Sequence, residues 1–236
     1  MTRFLVRLVF SIWGKKLVKV VGLERVAARQ DPVILALNHN QALEVLLIPA
    51  LLFFERGGKR VHFLADWNYR LIPLVDLFYR CGEVVTLTRK PAKPRFLDFM
   101  RPWFADKKTA HELTVDLLRR GHSVGVFPEG TINRGRQNLL KGYSGVARLS
   151  LETGCPVVPV GIQFPELTQD IKRVPEFSRM SIEFGDPLSP PSQAIRGEPT
   201  LEDIRDWHSV VMESIARLCG KQWDKRGARR PQEGLA

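Results

Sequence analysis

The polar positions Arg3, Arg7, Ser11, Lys15 and Lys19 recur every fourth place, and the residues between them are mostly apolar. That period belongs to a helix, so residues 1–22 are expected to form an amphipathic helix with one narrow, largely basic stripe. Beyond it the pattern changes to short apolar runs bounded by turn residues. DPVILALN, VHFLAD, EVVTLTR, HSVGVF, CPVVPVGIQF and RMSIEF read as strands. QALEVLLIPALLFF, WNYRLIPLVDLFYRCG, residues 109–119, LLKGYSGVARLSLETG and LEDIRDWHSVVMESIARLCG carry helical spacing, the first two broken by proline. Strands alternating with helices predict an α/β fold: a single layered domain over 23–220, with a central mixed sheet flanked by helices. The segment from 221 to 236 is basic and rich in breakers, and is expected to be a disordered tail.

Charge adds a partner class to this picture. The 36 Lys and Arg outnumber the 25 Asp and Glu, leaving +11. Such a balance favours an anionic partner, either nucleic acid or anionic lipid. No recognised nucleic-acid module appears, so nucleic acid is not the expected partner. The first helix has five basic residues before Val20, too many for a membrane span of about 20 mainly apolar residues. A cleaved signal peptide fits poorly as well, because Arg7 interrupts the apolar stretch. The expected arrangement is an interfacial helix with its apolar side in an anionic lipid surface. The expected location is the cytoplasmic face of a membrane, peripheral or monotopic. The competing arrangement is a helix packed on its own domain. A second segment, RKPAKPRFLDFMRPWFADKK, spaces Phe96, Phe99, Met100 and Trp103 helically among basic residues. It reads as a packed loop or as a second lipid-contacting element or lid.

Three scattered cysteines, Cys81, Cys155 and Cys219, form no C-x-x-C pair, and no set of residues has metal-ligand spacing. No metal and no cofactor are expected. Chemistry is concentrated where apolar strands end in polar groups, since ligands in α/β sheets bind beyond the carboxyl ends of strands. In NHNQALE, His39 precedes Glu44 by five residues. On an ideal helix such positions lie about 140° apart, so Glu44 reaches His39 only if the histidine sits on the incoming turn, with Gln41 the first helical residue. The pair is then either a carboxylate orienting a general base or two buried polar groups satisfying each other. FPEGT, at 127–131, ends a strand with a proline, a glycine that lets backbone N–H groups approach a ligand, and the hydroxyl-binding groups Glu129 and Thr131. Arg134, Arg136 and Lys141 follow it, and Arg89 closes the strand GEVVTLTR. These cations suit a phosphate or form a solvated loop.

In order along residues 31–164, with a weaker continuation to 188, these stretches resemble the glycerolipid acyltransferase family typified by the 1-acylglycerol-3-phosphate acyltransferases. NHNQALE is similar to the family's first block, N-H-x-x-x-x-D; GEVVTLTR to its second; CPVVPVGI, around Pro159, to its fourth. FPEGT matches the third in full. The resemblance implies His39 as the catalytic base with Glu44 orienting it, and Arg89 as a phosphate-binding residue. It assigns Glu129, Gly130 and Thr131 to the acceptor, and Pro159 to the acyl-chain side. It implies an O-acyltransferase moving a fatty acyl group from acyl-CoA or acyl-carrier protein to the free hydroxyl of the lysophospholipid 1-acylglycerol-3-phosphate, without a covalent enzyme intermediate. Glu44 stands where the family mostly has Asp; glutamate at this place is similar to what lipid A acyltransferases of the wider superfamily show, and the aromatic-basic stretch lengthens the connection between the second and third blocks. Both departures bear on which lipid is the acceptor. A non-catalytic basic membrane- or nucleic-acid-binding protein is the reading from a different class.

Overall fold

The structure, a computed structural model, describes residues 2–88, 90–92, 94–105, 107–191 and 199–225. Residues 33–37 contain no polar position, which a strand tolerates only when both of its faces are covered. They lie at the centre of a seven-stranded sheet. In chain order the strands are β1 (Leu17–Val21), β2 (Ile34–Leu37), β3 (Val61–Asp66), β4 (Val85–Leu87), β5 (Ser123–Val126), β6 (Val157–Gln163) and β7 (Met180–Phe184). Side by side they run β1-β7-β6-β2-β5-β3-β4. Only β6 and β7 pair antiparallel; the other neighbours are parallel, so the sheet is mixed as expected.

The helices are α1 (Thr2–Trp13), α2 (Glu44–Glu55), α3 (Pro73–Gly82), α4 (Ala110–Arg119), α5 (Gly145–Thr153) and α6 (Leu201–Cys219). Each strand's alternation splits the core into two layers. Leu35, Leu37, Phe63, Val158 and Val160 face Val6 and Val9 of α1 and Leu47 and Ile48 of α2. Ile34, Ala36, Val124 and Val157 face α4, α5 and α6, whose Ile204, Trp207, Val211 and Ile215 recur at helical spacing. Helix starts follow side-chain chemistry. Thr109 with Glu112, and Thr200 with Asp203, form reciprocal capping boxes that satisfy otherwise orphaned N–H groups.

A buried knot sets the register that matters for the site. Asp31, just before β2, accepts two 2.7 Å hydrogen bonds from the Arg56 guanidinium and an ion pair from Lys59 at 2.6 Å. It also accepts from the Ser123 hydroxyl, which itself accepts from Val33 N at 2.9 Å. Burial alone would raise the Asp31 carboxyl, but the hydrogen bonds from Arg56, Lys59 and Ser123 overcome it and hold it below its ordinary range. The start of β2 is thereby fixed to the start of β5. With Ala36 opposite Val126, the two strands also end level.

Two expectations are corrected at the ends of the chain. The N-terminal helix does not run through residues 1–22: it stops at Trp13, and Leu17–Val21 forms an edge strand parallel to β7. Gly14 interrupts the helix, and the β-branched Val18, Val20 and Val21 favour pairing with the open edge of β7. The helix buries Leu5, Val6 and Val9 on the domain, as in the competing arrangement, yet leaves Phe4, Leu8 and Ile12 exposed beside Arg7. The supposed tail also contains structure. Lys221 is buried, and Gln222 exchanges backbone hydrogen bonds with Gln137 and Leu139 at 2.7 and 2.8 Å. The expected disorder of 226–236 falls outside the described residues.

Candidate active site

Because β2 and β5 are adjacent and parallel, the chain leaves both at the same edge of the sheet. NHNQ therefore emerges beside FPEGT, and His39 meets Glu129 across 90 residues of sequence. The first helical residue is Glu44 rather than Gln41, because residues 39–43 form the incoming turn. The turn folds the imidazole back, and His39 Nδ1 lies 2.8 Å from Glu44 Oε2. The same carboxylate accepts from Asn40 N at 2.8 Å and from Asn40 Nδ2 at 3.0 Å. Glu44 has no exposed surface, and three N–H groups converge on its side-chain oxygens as acceptors. It fixes the His39 tautomer with the proton on Nδ1, so the acceptor lone pair sits on Nε2. No described residue hydrogen-bonds Nε2, and the ring stacks on Phe127 with centroids 4.3 Å apart. A histidine held this way can accept a proton at Nε2 while the carboxylate behind it balances the new charge.

Glu129 is placed differently from the sequence expectation. It is buried and turned inward: Oε1 accepts from His39 N at 3.1 Å, and Oε2 from Asn133 Nδ2 at 2.7 Å and Leu140 N at 2.8 Å. Burial pushes its pKa up, against the lowering effect of those donors. Its carboxylate ties both strand ends together through these protein groups. Asn133 N donates to the His39 carbonyl at 2.7 Å, so the loop grips both sides of the histidine backbone. Gly130 has φ +59°, a left-handed turn that favours glycine, and Thr131 is half-buried at the loop's outer side.

Against known proteins, residues 17–163 match the family model described as Acyltransferase. The chain belongs to the acyltransferase family. Among curated relatives, a 1-acyl-sn-glycerol-3-phosphate acyltransferase of Borreliella burgdorferi is 26% identical over 152 residues, covering 64% of this chain and 53% of its own. A chloroplastic 1-acyl-sn-glycerol-3-phosphate acyltransferase of Arabidopsis thaliana is 26% identical over 151 residues, covering 64% and 37%. The alignments thus span about half, or less, of these relatives' lengths. The crystal structure of the 1-acyl-sn-glycerophosphate acyltransferase PlsC from Thermotoga maritima superposes with a TM-score of 0.59 at 20% identity, over 95% of this chain and 81% of that one. It shares the acyltransferase fold.

Not every cation of the chain stands where the sequence reading put it. Arg134 pairs with Glu176, and Arg136 donates to the carbonyls of Leu167, Thr168 and Ile171. Both are spent on holding residues 165–176 and are not a phosphate cluster. Lys141 is exposed, and Arg89 lies outside the described residues. Lys90 reaches the site, donating to Gly130 O at 3.1 Å. Pro159 is buried within β6, in the centre of the sheet. Apolar space is found elsewhere: a cavity of about 90 Å³ between α1, α2, β3 and α3, walled by residues that include Val9, Val45, Ala50, Phe63 and Phe78. Phe63 packs on Phe127 with centroids 6.0 Å apart, so the cavity lies one ring pair from His39.

The sequence reading missed Asn40, Phe127 and Lys221. Asn40 lies inside the quoted motif, and its place in a polar break of an apolar run was the signal that it needs partners. Lys221 offered none, being one of several basic residues in a breaker-rich segment.

Proposed function

We propose that this protein is an O-acyltransferase that moves a fatty acyl group from acyl-CoA or acyl-carrier protein to the free hydroxyl of 1-acylglycerol-3-phosphate. The observation that carries the reading is the 2.8 Å His39–Glu44 pair with Nε2 left to a substrate hydroxyl. His39 takes the hydroxyl proton as the oxygen attacks the thioester carbonyl and returns it to the sulfur as the C–S bond breaks and the donor leaves as a thiol, while Glu44 balances the imidazolium in between; base catalysis of this kind contributes about 10²–10⁴-fold. Arg89 serves the acceptor phosphate, and Gly130 and Thr131 line the acceptor's approach, with Lys90 beside them. The cavity near Phe63 receives the end of the acyl chain. The protein works on the cytoplasmic face of a membrane carrying anionic lipid. The exposed Phe4, Leu8 and Ile12 of α1, and Phe96, Phe99 and Trp103 at 74%, 65% and 71% exposure among basic residues, support that site of action. No helix among the described residues is long and apolar enough to cross a membrane.

A second acceptor is favoured by one observation: Arg134 and Arg136 are committed to protein groups, which lessens the case for a terminal phosphate monoester. The same chemistry then acts on another lysophospholipid or lipid hydroxyl. The test is purified protein with 1-acylglycerol-3-phosphate and labelled acyl-CoA or acyl-carrier protein, beside H39A. Product that disappears with H39A carries the reading. No product from either donor, with a different lysolipid acylated instead, replaces the acceptor; no acyl transfer to any lysolipid refutes the reaction.

A further inference from the structure

Behind the His39–Glu44 pair stands a charged group that lies outside the family-matched residues 17–163. Helix α6 ends at Gly220, whose φ of +67° turns the chain back beneath the sheet edge. The next residue, Lys221, is buried, and its Nζ donates to Asn40 Oδ1 and to Gly135 O, both at 2.6 Å. Gln222, on its other side, is stitched by backbone hydrogen bonds to residues 137 and 139. The lysine is thus clamped in place by both neighbours.

We infer that Lys221 is a positioning residue of the acyl-transfer site, orienting Asn40 against Glu44 and serving as the buried counter-charge of the histidine–carboxylate pair. The inference rests on the acyltransferase reading above. An ammonium group donates and never accepts, so the Asn40 atom facing it must be the amide oxygen. That forces the Asn40 NH2 toward Glu44 Oε1, where it is found at 3.0 Å. A lysine that touches no substrate thereby decides how many donors hold the carboxylate that holds His39.

Electrostatics point the same way. Glu44 and Glu129 are both buried, and Lys221 is the cation set between their two networks. Burial pulls the Lys221 pKa below its ordinary value, while the Glu129 and Glu44 carboxylates act to raise it and Arg136 to lower it. The Cys219 thiol, pushed up to about 11 by burial, is neutral at working pH and adds no charge. On the other side, the groups facing the His39 ring and backbone are Glu44, Glu129 and the neutral Phe127 and Asn133. Removing the ammonium leaves two carboxylates beside the imidazole with less positive charge to offset them. The protonated base is then favoured, and the enzyme needs a higher pH to free it.

The experiment compares wild type, K221R, K221M and K221Q, with H39A as the blank and thermal unfolding confirming that each variant folds. K221M and K221Q are expected to lower kcat by about 10- to 100-fold, the loss of one hydrogen bond to a charged network. KM should change little, because no substrate contact is removed. The decisive readout is the acid limb of kcat/KM across the histidine titration range. It should move to higher pH in K221M and K221Q and stay at the wild-type position in K221R, whatever the kcat of K221R. A folded K221M or K221Q with an unmoved limb, or a K221R displaced as far as K221M, overturns the inference. A substrate-free measurement separates this from failure of the proposed reaction: the low-field proton resonance of His39 Nδ1–H held by Glu44. Its loss in K221M and K221Q with retention in K221R supports the positioning role even if wild type acylates nothing. Its presence unchanged in all variants refutes that role.

Discussion

Replacing Glu44 with glutamine keeps the shape of the side chain and removes its charge, which isolates what the carboxylate does. Two donors, His39 Nδ1 and Asn40 N, converge on Oε2, while Asn40 Nδ2 serves Oε1. The glutamine oxygen can take the first pair. Its NH2 then faces the Asn40 NH2 at the 3.0 Å now spanned by a hydrogen bond. Asn40 cannot turn over to relieve this, because Lys221 holds its oxygen at 2.6 Å. One buried donor is left unsatisfied, which costs about 1–3 kcal/mol of stability. The rate effect is larger and separate. Without a carboxylate behind it, the imidazolium formed during proton transfer loses its counter-charge, which should lower kcat by about 10³- to 10⁴-fold, or about 4–5.5 kcal/mol of barrier. E44D keeps the charge and withdraws it by one carbon–carbon bond, about 1.5 Å. It should therefore retain far more activity than E44Q or E44A, although its carboxylate stands shorter of His39. The assay is single-turnover acyl transfer from labelled donor, with thermal unfolding of each variant in parallel. A folded E44Q within a few-fold of wild type would reduce the pair to mutual satisfaction of two buried polar groups and remove Glu44 from the mechanism.

Three other outcomes follow from contacts already described. G161A should destabilise the fold by about 1–3 kcal/mol or more in denaturant unfolding, because its added Cβ would lie 2.4 Å from the Leu218 carbonyl carbon, where the backbone of α6 crosses β6. D31N should cost about 3–5 kcal/mol near neutral pH by leaving Arg56 buried without its partner. Since the Asp31 carboxyl is held below its ordinary value, its contribution is complete above the unfolded-state pKa of about 3.9 and fades as pH falls through the folded value; the gap between wild type and D31N should close on acidification. A50L, which narrows the cavity between α1 and α3, should shift preference toward shorter acyl chains in a donor panel without moving the pH profile.

Where burial is expressed as pattern, the sequence was readable. All six strands expected from apolar runs are present, and VHFLAD forms β3 over its whole length; five of the six have a strand on either side, where covered faces show in the composition itself, and the edge strand β4 is short and still apolar at Val85 and Leu87. Edge strand β1 was not readable. With one side paired and the other open to solvent it alternates weakly, and its one lysine, Lys19, continues the four-residue period of the helix before it. In the site, His39, Glu44 and Glu129 could be nominated, since a polar break in an apolar run must be answered by partners. The direction of the Glu129 carboxylate could not: a loop sequence does not say which backbone N–H groups will face it, and here those of His39 and Leu140 turn it inward. Lys221 lay beyond reach for a different reason. Its burial depends on where α6 delivers the chain, a long-range consequence of packing that leaves no mark beside the other basic residues of its segment.

The positive charge of the protein is likewise only partly a statement about its partner. Arg134, Arg136 and Lys221 all contribute to the +11, yet each is turned inward beside the site. Arg134 pairs with Glu176, whose second oxygen accepts from Ala42 N at 3.0 Å, while Gln41 and Ser178 exchange two hydrogen bonds of 2.9 and 3.0 Å. Arg136 fastens the carbonyls of residues 167–171 to the same wall. The turn that carries His39 is therefore braced from one side by residues 165–178 and from below by Lys221. Such bracing answers the energetic problem posed by NHNQ: four polar residues buried at the end of the central strand are costly only when unpartnered. Asn38 exchanges hydrogen bonds with Ile162, His39 is held through its ring and backbone, and Asn40 and Gln41 are satisfied as described. Among the side-chain nitrogen and oxygen atoms of residues 38–41, the described network leaves His39 Nε2 without a hydrogen bond, and that is the atom the proposed chemistry requires.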